Sequence, residues 1–171
     1  FNPAQVTEYR LIGYENRLLA REDFNNDRVD AGEVGAGHRV TALYEITLAG
    51  QPPRIEPLRY GAAPIAAGET SATGGELAFL KLRYKLPGQG ESTLISQAIA
   101  TPTGLESASE RLRFAAAVAA FGQYLRGGAS LNGYTLADII TLASGAKGED
   151  TSGYRAEFIG LIKLAQALQG A

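Results

Sequence analysis

The sequence predicts an α+β fold, with an antiparallel, sandwich-like β-sheet of about four to six strands followed by a three-helix C-terminal segment. Up to about residue 105, apolar residues alternate with a period of two, which is typical of half-buried strands. Beyond that point they recur at spacings of three and four, which is typical of helices. Because strands come first and helices afterwards, we expect a single α+β domain over residues 1–171, mainly β over 1–105 and mainly α over 106–171.

Four segments carry strand signals: Val6–Tyr14, Arg39–Ala49, Leu77–Leu86 and Ser92–Ile99. They are rich in β-branched, aromatic and alternating apolar residues. The last two flank the turn sequence Pro87-Gly88-Gln89-Gly90, which predicts a hairpin. Residues 51–75 are rich in proline and glycine, so we expect a long surface connection there, with one short strand near Ile55–Tyr60.

Three helices are expected in the second part of the chain. Ser107-Ala108-Ser109-Glu110 predicts a capping box at the start of the first, and Gly127-Gly128 predicts its end. The second begins at Thr135, where Asp138 completes another capping box, and the third runs from about Ser152 to Leu168. Their predicted apolar faces comprise Phe114, Val118, Phe121 and Leu125 in the first; Leu136, Ile139, Ile140 and Ala143 in the second; and Tyr154, Phe158, Leu161, Ile162, Ala165 and Leu168 in the third.

The composition narrows the classes of function. The net charge is only -2 and no basic patch appears, so we expect no nucleic-acid partner. The chain has no cysteine, which excludes disulfides, thiol catalysis and thiolate metal sites. No apolar run approaches the ~20 residues of a membrane span, so we expect no direct membrane insertion. The chain begins at Phe1 and has no methionine, and we expect it to be a fragment of a larger protein.

The loop from Asp23 to Glu33 is the candidate metal site. Asp23, Asn25 and Asp27 place oxygens at its first, third and fifth positions, and Glu33 could close a Ca²⁺ shell. Arg28, however, stands where an EF-hand loop has glycine, and Glu33 falls one residue before the usual closing acid. The alternative is an Asx-rich turn, in which Asn and Asp side chains bond to the nearby backbone. Both interpretations stay open, and no other cofactor is expected.

No catalytic residues are predicted. His38 is the only histidine, and neither a serine-centred nucleophile motif nor a paired-histidine metal motif accompanies it. The glycines at 32, 35 and 37 lack the GK[ST] ending of a phosphate loop and precede a strand instead of a helix. We therefore expect a protein that is not an enzyme.

Arginines and tyrosines gather near the N-terminus and could stack on single-stranded nucleic acid. They are Tyr9, Arg10, Tyr14, Arg17 and Arg21. Acidic residues are interleaved with them, which cancels the positive field. A solvated strand face with cross-strand ion pairs is the interpretation that we favour.

The segment YRLIGYENR…EDFNNDRVDAGEVGAGHRVTALYEI closely resembles the region that follows the von Willebrand factor type A domain in a group of bacterial envelope proteins. FLKLRYKLP, RFAAAVAAFGQYLRG and GYRAEFIGLIKLA are similar to the same family, whose C-terminal domain has no known function. The resemblance implies an upstream type A domain with a DxSxS metal-dependent adhesion site, export to the cell envelope or periplasm, and often a lipid anchor. No DxSxS motif occurs in this chain, so the 23–33 loop is distinct from that adhesion site.

These inferences lead to one expected function and one alternative. We expect a non-catalytic module that supports an adjacent type A domain of the same protein and takes part in protein–protein interaction with an unidentified partner. The alternative is a calcium-binding interaction module that uses the Asp23–Glu33 loop.

Overall fold

The computed structural model describes residues 1–13, 19–29, 32–55, 75–101 and 108–169. It confirms the α+β class. The elements, in chain order, are β1 (Val6–Ile12), a 3₁₀ helix (Arg21–Asn25), β2 (Leu43–Leu48), β3 (Glu76–Tyr84), β4 (Thr93–Ala100), α1 (Glu110–Leu125), α2 (Leu136–Gly145) and α3 (Tyr154–Gln169).

The chain forms two compact units, Phe1–Thr101 and Pro102–Ala171. All four strands belong to the first unit, and all three α-helices belong to the second. The division lies close to residue 105, where the apolar pattern changes from period two to helical spacing. That both units form a single domain stays a prediction.

Strands β1 and β2 form an antiparallel pair in which Arg10 lies opposite Glu45. The Arg10 Nε donates to a Glu45 carboxylate oxygen at 3.0 Å, which confirms the predicted cross-strand ion pair. Strand β2 is shorter than predicted, because it begins at Leu43 instead of Arg39. Leu43 pairs with Ile12, and the positive φ of Gly13 (74°) ends β1 there, so the residues before Leu43 have no β1 residue opposite them.

Strands β3 and β4 form the predicted hairpin, with Leu82 opposite Ile95. The predicted antiparallel strands are present, and in the part of the chain that the structure describes they form two two-stranded sheets. Their connection is made by Asn2, whose backbone N–H donates to the Leu77 carbonyl at 2.9 Å and whose side-chain amide donates to the Glu76 carbonyl at 2.8 Å. The predicted short strand near Ile55–Tyr60 falls outside the described residues beyond Ile55.

The helix starts follow local capping chemistry. In α2 the Thr135 hydroxyl accepts from the Asp138 N–H at 3.2 Å, and the Asp138 carboxylate accepts from the Thr135 N–H at 2.8 Å, which confirms that capping box. In α1 the cap is Ser109, whose hydroxyl accepts from the Leu112 N–H at 3.2 Å. The predicted start at Ser107 was therefore two residues early, and Ser107 itself lies outside the described residues.

The core of the helical unit is small. Its buried members are Ala117, Phe121, Leu136, Ile139, Ala143, Ile159 and Ile162. The ring of Phe158 packs edge-on against Phe114 and Phe121, at centroid distances of 5.5 and 5.7 Å.

The predicted apolar faces of the helices are only partly correct. All four α2 residues lie in or against the core, as predicted. In α3, Tyr154, Leu161 and Leu168 are exposed, whereas Ile159, which was not predicted, is buried. In α1, Val118 and Leu125 are exposed, and the small Ala117 is buried instead. Both α1 and α3 carry apolar residues on more than one face, and the packing of the helices buries only one of these faces.

Arg155 ties the three helices together. Its guanidinium Nη1 donates to the Glu110 carboxylate at the start of α1 (3.0 Å) and to the carbonyls of Ala146 and Lys147 after α2 (3.1 and 2.8 Å). The same guanidinium lies 4.8 Å from the centroid of the Phe114 ring. A cation beside the last carbonyls of α2 also complements the negative end of the helix dipole. Within the described residues no helix is long and apolar enough to cross a membrane.

Candidate functional site

The candidate site is a cleft between the acidic loop and the β3–β4 hairpin, and the loop provides one of its walls. The loop opens with the 3₁₀ helix, which Asn26 closes by donating its N–H to the Asp23 carbonyl at 3.0 Å. The Asn26 side-chain oxygen then accepts from the Arg28 N–H at 3.1 Å, and the Val29 N–H donates to the Asn26 carbonyl at 3.1 Å. This is an Asx turn, as the second interpretation of the loop predicted.

The hairpin provides the opposite wall and binds the loop directly. The Arg83 guanidinium donates to the side-chain oxygen of Asn25 at 2.7 Å, and the Lys85 ammonium donates to the Asp27 carbonyl. The Ser92 N–H donates to the Asp27 carboxylate at 3.3 Å, while the Ser92 hydroxyl oxygen accepts from the Arg83 Nε at 2.9 Å. The loop is therefore held to the hairpin by Arg83 at the end of β3, by Lys85 just beyond it and by Ser92 just before β4.

These contacts set the charge state of Asp27. Hydrogen bonds from the Ser92 hydroxyl and the Ser92 N–H lower the pKa of the Asp27 carboxyl, and the nearby cations Lys85 and Arg83 lower it further. The carboxylate is thus ionised at neutral pH, as a hydrogen-bond acceptor for the hairpin must be.

The cleft has a volume of about 760 Å³ and contains both charged and apolar groups. Its charged lining consists of Asp23, Asp27 and Glu33 on the acidic side and of Arg28, Arg83 and Lys85 on the basic side. Its apolar lining includes Leu19, Phe24, Val29, Val34, Tyr84, Leu86 and Pro87. Because acids and bases balance, the cleft does not favour a strongly charged ligand of either sign.

The structure places three of the four predicted calcium ligands along the cleft but does not group them around one point. Asp23, Asp27 and Glu33 line the cleft, whereas Asn25 directs its side-chain oxygen to Arg83. No group of three or more His, Cys, Asp or Glu side chains is arranged to hold a metal ion among the residues that the structure describes. The two hairpin cations contact Asn25 and Asp27, which were proposed as ligands, and a Ca²⁺ ion there would meet their repulsion. Calcium binding stays a prediction.

The sequence contains one signal for this contact between loop and hairpin, which lies in β3 and not in the loop. Lys81, Arg83 and Lys85 alternate along β3 and just beyond it, so one face of the strand end presents cations. An acidic loop with the opposite charge is the natural partner for such a face.

His38 lies in an exposed turn, where its N–H donates to the Gly35 carbonyl at 3.1 Å. Its ring approaches the backbone so closely that a methyl group at Gly35 would lie 2.9 Å from the His38 Nδ1. The absence of catalytic function stays a prediction.

A second polar cluster lies on the β1–β2 sheet. The Glu8 carboxylate accepts from the backbone N–H groups of Arg54 and Ile55 at 2.9 and 3.1 Å and from the Thr47 hydroxyl at 3.0 Å. The hydrogen bond from the Arg54 backbone N–H lowers the pKa of Glu8 most, and the bond from the Ile55 N–H lowers it further. Glu8 therefore anchors the residues that follow β2 to β1, a role that its sequence context did not indicate.

Fold and cleft together define an α+β protein in which an acidic loop is bound to a β-hairpin through Asn25 and Asp27. The chain belongs to the family described as the C-terminal region of the uncharacterized protein YfbK, whose model matches residues 1–168. It is 52% identical over 168 residues to the uncharacterized protein YfbK of Escherichia coli (strain K12). That match covers 98% of this chain, and the chain spans 28% of the length of that relative. No solved structure matches the chain. The resemblance to a C-terminal domain of unknown function is thereby confirmed, and its type A context stays a prediction.

Proposed function

We propose that this chain is a non-catalytic interaction module that supports and orients an adjacent von Willebrand factor type A domain in the bacterial cell envelope. The observation that carries the proposal is the use of the polar loop groups as structural contacts. Asn25 and Asp27 bind Arg83, Lys85 and Ser92 of the hairpin. Side chains engaged in this way hold a surface in shape, whereas a catalytic group needs an open position toward the reacting atom.

The length of the chain, compared with that of the relative from Escherichia coli, also supports the proposal of a module. A chain that spans 28% of a longer protein and matches a C-terminal family model acts beside other parts of that protein. The type A neighbour, the lipid anchor and the periplasmic location come from the resemblance alone and are part of the proposal. In this proposal, the cleft formed by loop and hairpin is the surface that contacts a protein partner, because it combines apolar groups with a balanced set of charged groups.

The experiment uses the longer protein that contains this chain. Three forms are compared: the unaltered protein, Arg83→Ala, which releases the loop, and Lys81→Ala, which removes a cation from the same strand without a contact to the loop. We expect Arg83→Ala to reduce capture of proteins from a crosslinked envelope extract and to lower the melting temperature of the rest of the protein. Lys81→Ala should behave like the unaltered protein. Equal behaviour of all three forms, together with unchanged stability after deletion of residues 1–171, would rule out the support function.

Calcium binding is the second candidate, because Asp23, Asp27 and Glu33 share one cleft. Isothermal titration of the chain with CaCl₂, with MgCl₂ as the reference, tests it. Binding heat that Asp27→Ala abolishes would favour the calcium module over the scaffold. Absence of both heat and thermal stabilisation would exclude it.

A further inference from the structure

Strand β4 has an edge that lacks the usual protection against pairing. It reads TLISQAIA from Thr93 to Ala100, with no charged residue and no proline, and all eight residues are exposed. Strands β1, β2 and β3 each carry at least one charged residue. Natural sheets blunt their edges with charges, prolines or bulges, because an open row of N–H and C=O groups is a template for another strand.

The outer edge of β3 in the same hairpin is occupied at its start. The Leu77 and Glu76 carbonyls of β3 accept from Asn2, and Arg83 near its end binds the acidic loop. In contrast, no hydrogen bond between described residues joins Thr93–Ala100 to any element except β3. Within the described part of the chain, the outer edge of β4 is therefore open along its whole length, whereas the outer edge of β3 is engaged at Glu76 and Leu77.

The hairpin also has a mainly apolar face, in which Gln97 is the polar member between Ile95 and Ile99. The register places Leu82 opposite Ile95, Leu80 opposite Gln97 and Ala78 opposite Ile99, so these side chains share one face. Leu80, Leu82, Ile95 and Ile99 are 41–51% exposed. A partner strand added beside β4 would extend this face in the plane of the sheet.

We propose that two copies of this chain associate by antiparallel pairing of β4 with β4 across a two-fold axis at Gln97. A two-fold axis perpendicular to the sheet keeps the apolar faces of both hairpins on one side. This symmetry requires that one residue lie directly opposite its own copy, with the axis midway between them. At Gln97 the axis places Ile95 opposite Ile99 of the second copy, and Ile99 opposite Ile95. The result is a four-stranded sheet with one apolar face. This inference rests on β4 and does not depend on the proposed function.

The alternative registers are poorer. An axis at Ser96 would place Ile95 opposite Gln97 and Ile99 opposite Thr93, so each isoleucine would face a polar side chain. A register shifted by one residue, in which a residue faces the copy of its sequence neighbour, would turn the apolar face of one hairpin to the opposite side from that of its partner. Because β4 carries no charge, like-charge repulsion between identical strands does not oppose the pairing.

Single-cysteine variants test the register, since the chain contains no cysteine of its own. Gln97→Cys, Ser96→Cys and Ala98→Cys are oxidised with copper phenanthroline in the 171-residue chain. Opposed residues of an antiparallel pair have Cα atoms roughly 4.5–5.5 Å apart, a distance that a disulfide spans. Ser96 and Ala98 are each offset from their own copies by two residues, about 7 Å along the strand, and point to the other face. We expect a covalent dimer for Gln97→Cys and several-fold less for its two neighbours.

A charge pair at the axis provides the second measurement. Sedimentation equilibrium should show that Gln97→Lys and Gln97→Glu each weaken association about fivefold, because identical charges then face each other. An equimolar mixture of the two variants should recover the association, and circular dichroism checks that each is folded. The proposal is overturned by a monomeric unaltered chain, by equal crosslinking at all three positions, or by undiminished self-association of both charged variants.

Discussion

The Arg83 guanidinium donates to the Asn25 side-chain oxygen at 2.7 Å and thereby joins two residues that are 58 positions apart in the chain. This hydrogen bond connects the end of β3 to the acidic loop, and Ser92 and Lys85 extend the contact to Asp27. The loop therefore depends for its shape on a hairpin that the chain reaches much later. Four predictions test this and the other contacts on which the fold depends.

Arg83→Ala should loosen the acidic loop while the hairpin stays intact. The variant loses the charged donor to Asn25 and the Arg83 bond to Ser92, which itself binds Asp27. Amide exchange of residues 19–29 should therefore become about fivefold faster or more, because local opening becomes easier. Hydrogen exchange measured by mass spectrometry reports this directly. Lys81→Ala is the matched control, since Lys81 lies two residues earlier on β3 and contacts the Phe79 ring. Equal exchange in both variants would mean that Arg83 does not hold the loop.

The Glu8 anchor should make the first unit sensitive to acid. Its donors lower the pKa of Glu8, so its stabilisation is present above the usual glutamate pKa of about 4.3 and is lost as pH falls through the lower folded value. Glu8→Gln should therefore lower the free energy of unfolding at neutral pH, and the difference from the unaltered chain should shrink toward pH 2. Urea titrations across this range measure it.

A control for Glu8 is Glu91→Gln, which changes an exposed residue near the β3–β4 turn. It should leave the difference between neutral and acid stability nearly unchanged. The difference in unfolding free energy between Glu8→Gln and the unaltered chain could instead stay constant with pH. That result would mean that the charge of the Glu8 carboxylate does not strengthen its hydrogen bonds from Arg54 and Ile55.

Thr135→Ala should weaken the start of α2. The variant loses the hydroxyl that accepts from the Asp138 N–H, and the loss of such a cap costs about 1 kcal/mol. Thr141→Ala makes the same chemical change within the same helix, where the hydroxyl donates to the Ala137 carbonyl, and it should cost much less. Urea unfolding followed by far-UV circular dichroism compares the two. Similar losses from both would show that the capping box contributes little.

Ile162→Ala and Leu161→Ala should separate the buried and exposed faces of α3. Ile162 is 0% exposed, so its truncation should cost about 2–5 kcal/mol, whereas Leu161 is 52% exposed and should cost far less. The two substitutions are adjacent, so helix propensity changes little between them. A Leu161→Ala loss as large as that of Ile162→Ala would show that a further contact covers this face in solution.

Local chemistry made several elements predictable. The alternating residues of β3 and β4 with a Pro-Gly turn between them specify a hairpin, and Thr135 with Asp138 specifies a helix start. Where the sequence offers two equivalent capping residues, local chemistry does not decide between them. Ser107 and Ser109 both precede Glu110 and could both cap α1, and only the backbone path selected Ser109.

The candidate site was predictable in position but not in its contacts. The spacing of Asp23, Asn25 and Asp27 marked the loop as distinctive, and the structure lines a cleft with two of these residues. Whether such oxygens bind a metal ion from solvent or a basic side chain depends on the residues that form the opposite wall of the cleft. Here the opposite wall contains Arg83 and Lys85, which no spacing within the loop could indicate.

The sequence by itself determined the kind and order of the elements, because periodicity, turns and caps act over a few neighbouring residues. Only the tertiary structure decided that Ile159 instead of Leu161 is buried, that the strands form two sheets, and that the acidic loop binds the hairpin. Each of these depends on residues far apart in the chain, whose approach is set by packing of the whole unit and not by any local pattern.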